Sequence, residues 1–84
     1  MTQQIARSEK QLGAILRRQR KQSGMTQTEL GEKVHMRQAT ISKLEDGAPA
    51  TQLRVLIAAL AALDLELVVR IRSKSSGDEI EELF

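Results

Sequence analysis

Residues 37–43, RQATISK, place a guanidinium, a primary amide, two methyl-bearing side chains, a hydroxyl and an ammonium within two helical turns. Gln38 can donate and accept at once, as the N6/N7 edge of adenine requires, and Arg37 or Lys43 can donate to the O6/N7 edge of guanine. The Ala39 and Thr40 methyls suit the methyl of thymine. This is chemistry of recognition, not of bond making. The carboxylate pairs Glu29/Glu32 and Glu45/Asp46 lack a convergent third group, so general acid/base catalysis gains no support. A single His and the absence of Cys leave no metal cluster and no thiol nucleophile. The expectation is a protein that is no enzyme and takes neither metal nor cofactor.

Base-edge contacts need a rigid carrier, and the flanking sequence supplies one. Thr26 with Glu29 three residues later has the capping-box spacing, and Met25 with Leu30 can close a hydrophobic staple. Leu30 and Val34 share one face of the helix so begun. A break follows at Val34-His35-Met36, and in the next segment Ile41 and Leu44 point inward while Arg37, Gln38, Ala39, Thr40 and Lys43 stay outside. A short capped helix, a break and a second helix with an uncommitted polar N-terminal face read as a helix-turn-helix. Gln27 at the start of the first of these helices is expected to bond a phosphate, aided by that helix's orphan amides and dipole. Thr28 beside it is assigned to the same backbone. Ser42 and the basic face of the preceding helix (Arg17, Lys21) would add contacts that position without specifying. That preceding helix fits Glu9 to Ser23, with Leu12, Ile15 and Leu16 toward the core and Gly24 as its C-cap. Gly13 inside it costs about 1 kcal/mol against Ala, which implies close packing there.

The C-terminal half changes character twice. After a loop at residues 47–50, with Thr51 as N-cap, residues 52–63 (QLRVLIAALAAL) form the most apolar helix. Leu53, Leu56, Ile57, Leu60 and Leu63 make one stripe, and Val55, Ala58, Ala59 and Ala62 carry it round the side. A helix apolar on most faces is buried on most faces, so a second chain is expected against part of it. From Leu65 to Arg72 the apolar residues Leu65, Leu67, Val69 and Ile71 alternate with Glu66, Val68, Arg70 and Arg72, which predicts a strand. A lone strand leaves unpaired backbone groups, and its copy across a two-fold axis is the simplest partner. Leu65, Leu67, Val68, Val69 and Ile71 are thus the dimerisation residues, and centring the ribbon on Val68 would set Glu66 opposite the other chain's Arg70. Residues 73–77 (SKSSG) read as a flexible linker. The closing DEIEELF interleaves Ile80, Leu83 and Phe84 with acids, as in a peptide that orders on a partner's surface.

Eighty-four residues make one small domain, for which oligomerisation is a fair expectation. The net charge of +2 conceals an asymmetry. Residues 1–76 hold all thirteen basic residues against seven acidic ones, a net +6, and Asp78, Glu79, Glu81 and Glu82 hold the remaining acids. A basic body with a separate acidic tail implies two partners, one of them polyanionic. No run approaches a membrane span and the N-terminus has no apolar signal core, so the expected location is the cytoplasm, at the nucleoid. The expected fold is mainly α: a four-to-five-helix repressor-like domain with one C-terminal strand that pairs across a homodimer. Its divisions are a flexible arm (1–8), the helix-turn-helix domain (9–63), a dimerisation strand (64–72) and a flexible acidic tail (73–84).

Thr26, Gln27, Leu30, Gln38, Ile41, Ser42, Glu45 and Gly47 match, in one register, the T-Q-x-x-L and Q-x-x-I-S-x-x-E-x-G pattern of the phage-repressor and Cro helix-turn-helix, which this stretch closely resembles. Where that family has Gly at the turn, this chain has His35, so either a left-handed His or a turn of another type is expected. The resemblance also implies that Arg20 pairs with Glu45 and that Gln38 is a base reader. Together with QATISKLE, the segment TQLRVLIAALAALDLELVVRI and the hydrophobe-ended tail resemble HipB-type antitoxins. That resemblance implies a homodimer bound to an inverted-repeat operator in double-stranded DNA, autorepression, and a complex with a HipA-like serine/threonine kinase toxin into which Phe84 inserts. A stand-alone phage-type repressor without a toxin is the alternative.

Overall fold

The computed structural model describes residues 3–72; the acidic tail, with Ile80, Leu83 and Phe84, lies outside the described residues. Among the described residues there are four helices: α1 Glu9–Gln22, α2 Gln27–Val34, α3 Gln38–Glu45 and α4 Leu53–Ala62. α3 packs against α1 and α2, and α2 also packs on α4. Leu16, Leu30, Ile41, Leu44, Ala59, Leu60 and Leu63 form the core, one or more from every helix or its cap.

Local chemistry sets the helix ends. The Ser8 hydroxyl accepts from the Gln11 amide at the start of α1, and α1 closes at Ser23 with Gly24 following at φ 76°. The capping box of α2 is complete: the Thr26 hydroxyl accepts from the Glu29 amide at 3.0 Å, and the Glu29 carboxylate accepts from the Thr26 amide at 2.8 Å. α2 ends on His35 in the left-handed region (φ 59°, ψ 43°), so the turn keeps the geometry that favours Gly although the residue is His. Gly13 is needed where it stands. A Cβ there would lie 2.4 Å from the Glu45 carbonyl oxygen, so α1 and α3 meet backbone to backbone.

Two expectations change. The N-cap of α4 is Gln52, not Thr51, whose hydroxyl instead donates to the Ala48 carbonyl within the loop. α4 also turns a different arc to the core: Val55, Ala59 and Leu60 are buried, whereas Leu53 is 66% and Ile57 45% exposed. With apolar residues nearly all round, the pattern could not select the buried arc.

No strand forms among the described residues. The chain leaves α4 through Asp64 at φ 62°, and the Leu65 amide donates to the Leu60 carbonyl at 2.8 Å, which returns Leu65 to the edge of the core. Beyond it Leu67, Val68, Val69 and Ile71 are exposed, Val69 at 91%. A ladder needs a second backbone, and one chain offers this segment none.

Candidate nucleic-acid interface

The site is built outward from the core. Ile41 and Leu44 are buried under α3, which leaves Gln38, Ala39 and Lys43 on its exposed side, with Arg37 exposed at the N-cap and Thr40 and Ser42 half-buried at the margins. Arg37 makes no side-chain cap, so its guanidinium is not committed to the helix end. The five expected base readers therefore sit together on and beside the first turn and a half of α3.

Gln38 is anchored. Its Nε2 donates to Gln27 Oε1 at 2.5 Å, and Gln27 Nε2 donates in turn to Glu45 Oε1 at 3.0 Å. Glu45 is clamped by Arg20, whose Nε donates to Oε2 at 2.6 Å and whose Nη2 donates to Oε1 at 3.1 Å. Arg20 Nη1 closes the chain on the Met25 carbonyl at 2.8 Å. Both charged side chains are buried, which raises the Arg20 pKa above the ordinary arginine value: the Glu45 hydrogen bond is the main cause, burial opposes it, and the Glu45 charge adds to the rise. The pair that the family resemblance implied is thus present, and it holds α1, α2 and α3 in one network.

The polarity of that network decides what is left for a ligand. Gln38 spends one N–H on Gln27, so one N–H and Oε1 remain, the donor–acceptor couple that matches adenine N7 and N6. Gln27 spends its oxygen and one N–H, and keeps a second N–H for an acceptor such as a phosphate oxygen. Because Thr26 takes the Glu29 amide, the Gln27 and Thr28 amides at the start of α2 are the ones without an intrahelical acceptor. Glu45 is the one carboxylate in the network, and Arg20 answers its charge.

Arg17 and Lys21 lie exposed on α1, where with Lys10, Ala14 and Arg18 they line a cleft of about 580 Å³ closed on its other side by Glu45 and Asp46. Lys10 and Arg18 were not singled out from sequence, although Lys10, Ala14, Arg17 and Lys21 have the 4-3-4 spacing of one helical stripe. The Gln27–Glu45 bond was missed as well; eighteen residues separate the partners, and only the α2–α3 packing joins them.

The helix-turn-helix domain family matches residues 11–71. Antitoxin HipB of Escherichia coli K12 is 32% identical over 72 residues, covering 86% of this chain and 82% of that protein. Antitoxin HipB of Escherichia coli O6:H1 (strain CFT073) is likewise 32% identical over 72 residues, with 77% of its length covered. This chain belongs to the HipB family of helix-turn-helix proteins. Solved family structures agree in fold: a HipB-O4 20mer complex (TM-score 0.76, 33% identity) and a HipA-HipB-O2-O3 complex (TM-score 0.76, 33% identity) each match 86% of this chain and 100% of their own. As a HipB-family member the chain carries its recognition face, its Arg20–Glu45 clamp and its capped α2 all within the matched residues 11–71. Among the described residues no group of three or more His, Cys, Asp or Glu side chains could hold a metal, and no helix is long and apolar enough to cross a membrane.

Proposed function

We propose that this HipB-family chain is a sequence-specific DNA-binding autorepressor and the antitoxin partner of a HipA-type kinase. One observation carries the DNA half of the reading: the α3 face presents Gln38 with its amide oriented by the Gln27–Glu45–Arg20 network, uncommitted toward solvent and flanked by Arg37 and Lys43. α3 enters the major groove, Gln38 pairs with adenine, and Arg37 or Lys43 takes guanine while the Ala39 and Thr40 methyls meet thymine. Gln27, Thr28 and Ser42 hold the backbone together with Arg17 and Lys21. The complexes named HipB-O4 20mer and HipA-HipB-O2-O3 support the reading, with the O components taken as operator DNA and HipA as the toxin.

The chain acts as a homodimer whose residues 65–71 pair across the two-fold axis, so the operator is an inverted repeat with half-sites about one helical turn, ~34 Å, or a multiple of it apart. The tail residues Ile80, Leu83 and Phe84 engage the kinase. The tests run in parallel. In a binding assay Gln38→Ala is expected to lose ~1–3 kcal/mol on the operator and little on random DNA, whereas Arg17→Ala weakens both and lowers the salt slope by about one. Equal losses for Gln38→Ala on both DNAs would remove the base-reading role. In a lysate pull-down the full chain should bring down a kinase that a 1–76 truncation loses; no kinase with either leaves a stand-alone repressor.

A further inference from the structure

The cleft on α1 is more cationic than phosphate positioning by Arg17 and Lys21 requires. Lys10, Arg17, Arg18 and Lys21 line it, and among the described residues none of the four has an ion pair; Arg18 donates to the neutral Gln4 amide oxygen at 2.9 Å. Of the two carboxylates opposite, Glu45 is held by Arg20 and only Asp46 offsets the cations. An excess of three positive charges thus surrounds a concave surface floored by Ala14, a small apolar residue.

The sequence contains one segment of complementary chemistry. Residues 78–84, DEIEELF, carry four carboxylates with hydrophobes among them. Their tether starts at the right place, because Gln19 Nε2 of α1 donates to the Leu63 carbonyl at 3.5 Å, so the C-terminal extension leaves the body beside the middle of α1. The 14 residues between Leu63 and Asp78 span roughly 20 Å as an unstructured chain, about the ~21 Å length of the 14-residue α1.

We propose that the α1 cleft is the docking site of the chain's own acidic tail, which occupies it when the protein is off DNA. The carboxylates of Asp78, Glu79, Glu81 and Glu82 take the positions that phosphates take on DNA, and one of the tail's hydrophobes rests on Ala14. DNA and tail then compete for Arg17 and Lys21, so operator binding releases the segment assigned above to the toxin. Only this consequence rests on the functional reading; the docking does not.

The absence of native Cys allows a single nitroxide label at Ser76→Cys on the otherwise unaltered chain. In DNA-free protein at low salt, the amide NMR signals of residues 10–21 and of Asp46 should broaden, while those of Leu53 and Ile57 on α4 should not. The broadening should vanish at ~1 M salt, where the Debye length is ~3 Å. It should also vanish on adding a short random-sequence duplex, and in the variant Asp78→Asn, Glu79→Gln, Glu81→Gln, Glu82→Gln. That variant should bind the same duplex about five-fold more tightly at ~0.05 M salt, the gain disappearing as salt rises. An α1 that stays sharp, or broadening that persists through charge neutralisation, overturns the proposal. Broadening that is present but indifferent to any DNA would instead sink the DNA-binding reading and leave tail docking intact.

Discussion

At the scale of single residues, the molecule's character rests on a buried charge pair used as an anchor. Arg20 and Glu45 are 8% and 2% exposed at their side chains, and each has lost water it can regain only from the other. Removing one partner strands the other, so Glu45→Ala should cost ~3–5 kcal/mol in chemical denaturation. Arg20→Lys should also destabilise, because one ammonium cannot replace a fork that reaches both Glu45 oxygens and the Met25 carbonyl. The pH dependence carried by Arg20 has a definite sign. Its folded pKa is raised, so its contribution is complete below the unfolded value and is lost only as pH rises through the folded one, beyond any ordinary assay. The Arg20 side of the pair should therefore hold stability constant from neutral to moderately alkaline pH, and a denaturation midpoint that falls between pH 7 and 9 in wild type but not in a variant lacking Arg20 would contradict it. The same anchor gives a prediction for recognition. Gln27→Ala removes the acceptor that orients Gln38, so it should cost operator affinity and also relax discrimination for adenine at the position Gln38 reads, where a pure phosphate contact would weaken all DNA alike.

At the scale of elements, the helix-turn-helix was legible because its signals are local. Thr26 and Glu29 cap α2 through contacts three residues apart, and Ile41 with Leu44 repeat at one turn, so the start of α2 and the inner face of α3 follow from short-range chemistry. His35 shows what such a signal leaves open: the sequence marks a turn, and the packing of α2 against α3 decides that His takes the left-handed conformation. That conformation is costly for a residue with a Cβ, so His35→Gly should raise stability by about 0.5–1 kcal/mol in thermal unfolding, with α3 and the DNA face unchanged. Gly13 gives the opposite result. Ala is favoured by about 1 kcal/mol inside a helix, yet its Cβ would meet the Glu45 and Leu44 carbonyl oxygens at 2.4 and 2.7 Å. Gly13→Ala should therefore destabilise, by ~1–3 kcal/mol, and a melting temperature above wild type would show that α1 can shift away from α3 without loss. The Gln38–Gln27–Glu45 relay was not legible, since each link joins different helices and depends on tertiary placement.

At the scale of the whole molecule, the chain leaves apolar surface that one copy does not cover. α4 is apolar on more of its circumference than the core can accept, so Leu53 and Ile57 remain outside, and Leu67, Val69 and Ile71 continue exposed beyond it. The sequence pattern announced this surplus without saying which arc would be left over. It announced a strand in the same way, since alternation fixes which residues share a face while the ladder itself must come from another backbone. Both surpluses fall in the last third of the described chain, and a two-fold copy could satisfy both at once, with the strands paired and the apolar side chains removed from water. Burial of side chains of this size is worth ~1.5–3 kcal/mol each. Replacing one with a charge should abolish association, not merely weaken it. Val69→Asp is the sharper test, because Val69 is 91% exposed and touches little of its own chain. Sedimentation should show a dimer in wild type and a monomer in Val69→Asp, with circular dichroism reporting an unchanged helical content. Operator affinity should fall with the dimer, since each monomer reads a single half-site. A variant that remains dimeric would move the interface off residues 65–71 and leave the α4 arc of Leu53 and Ile57 to carry it.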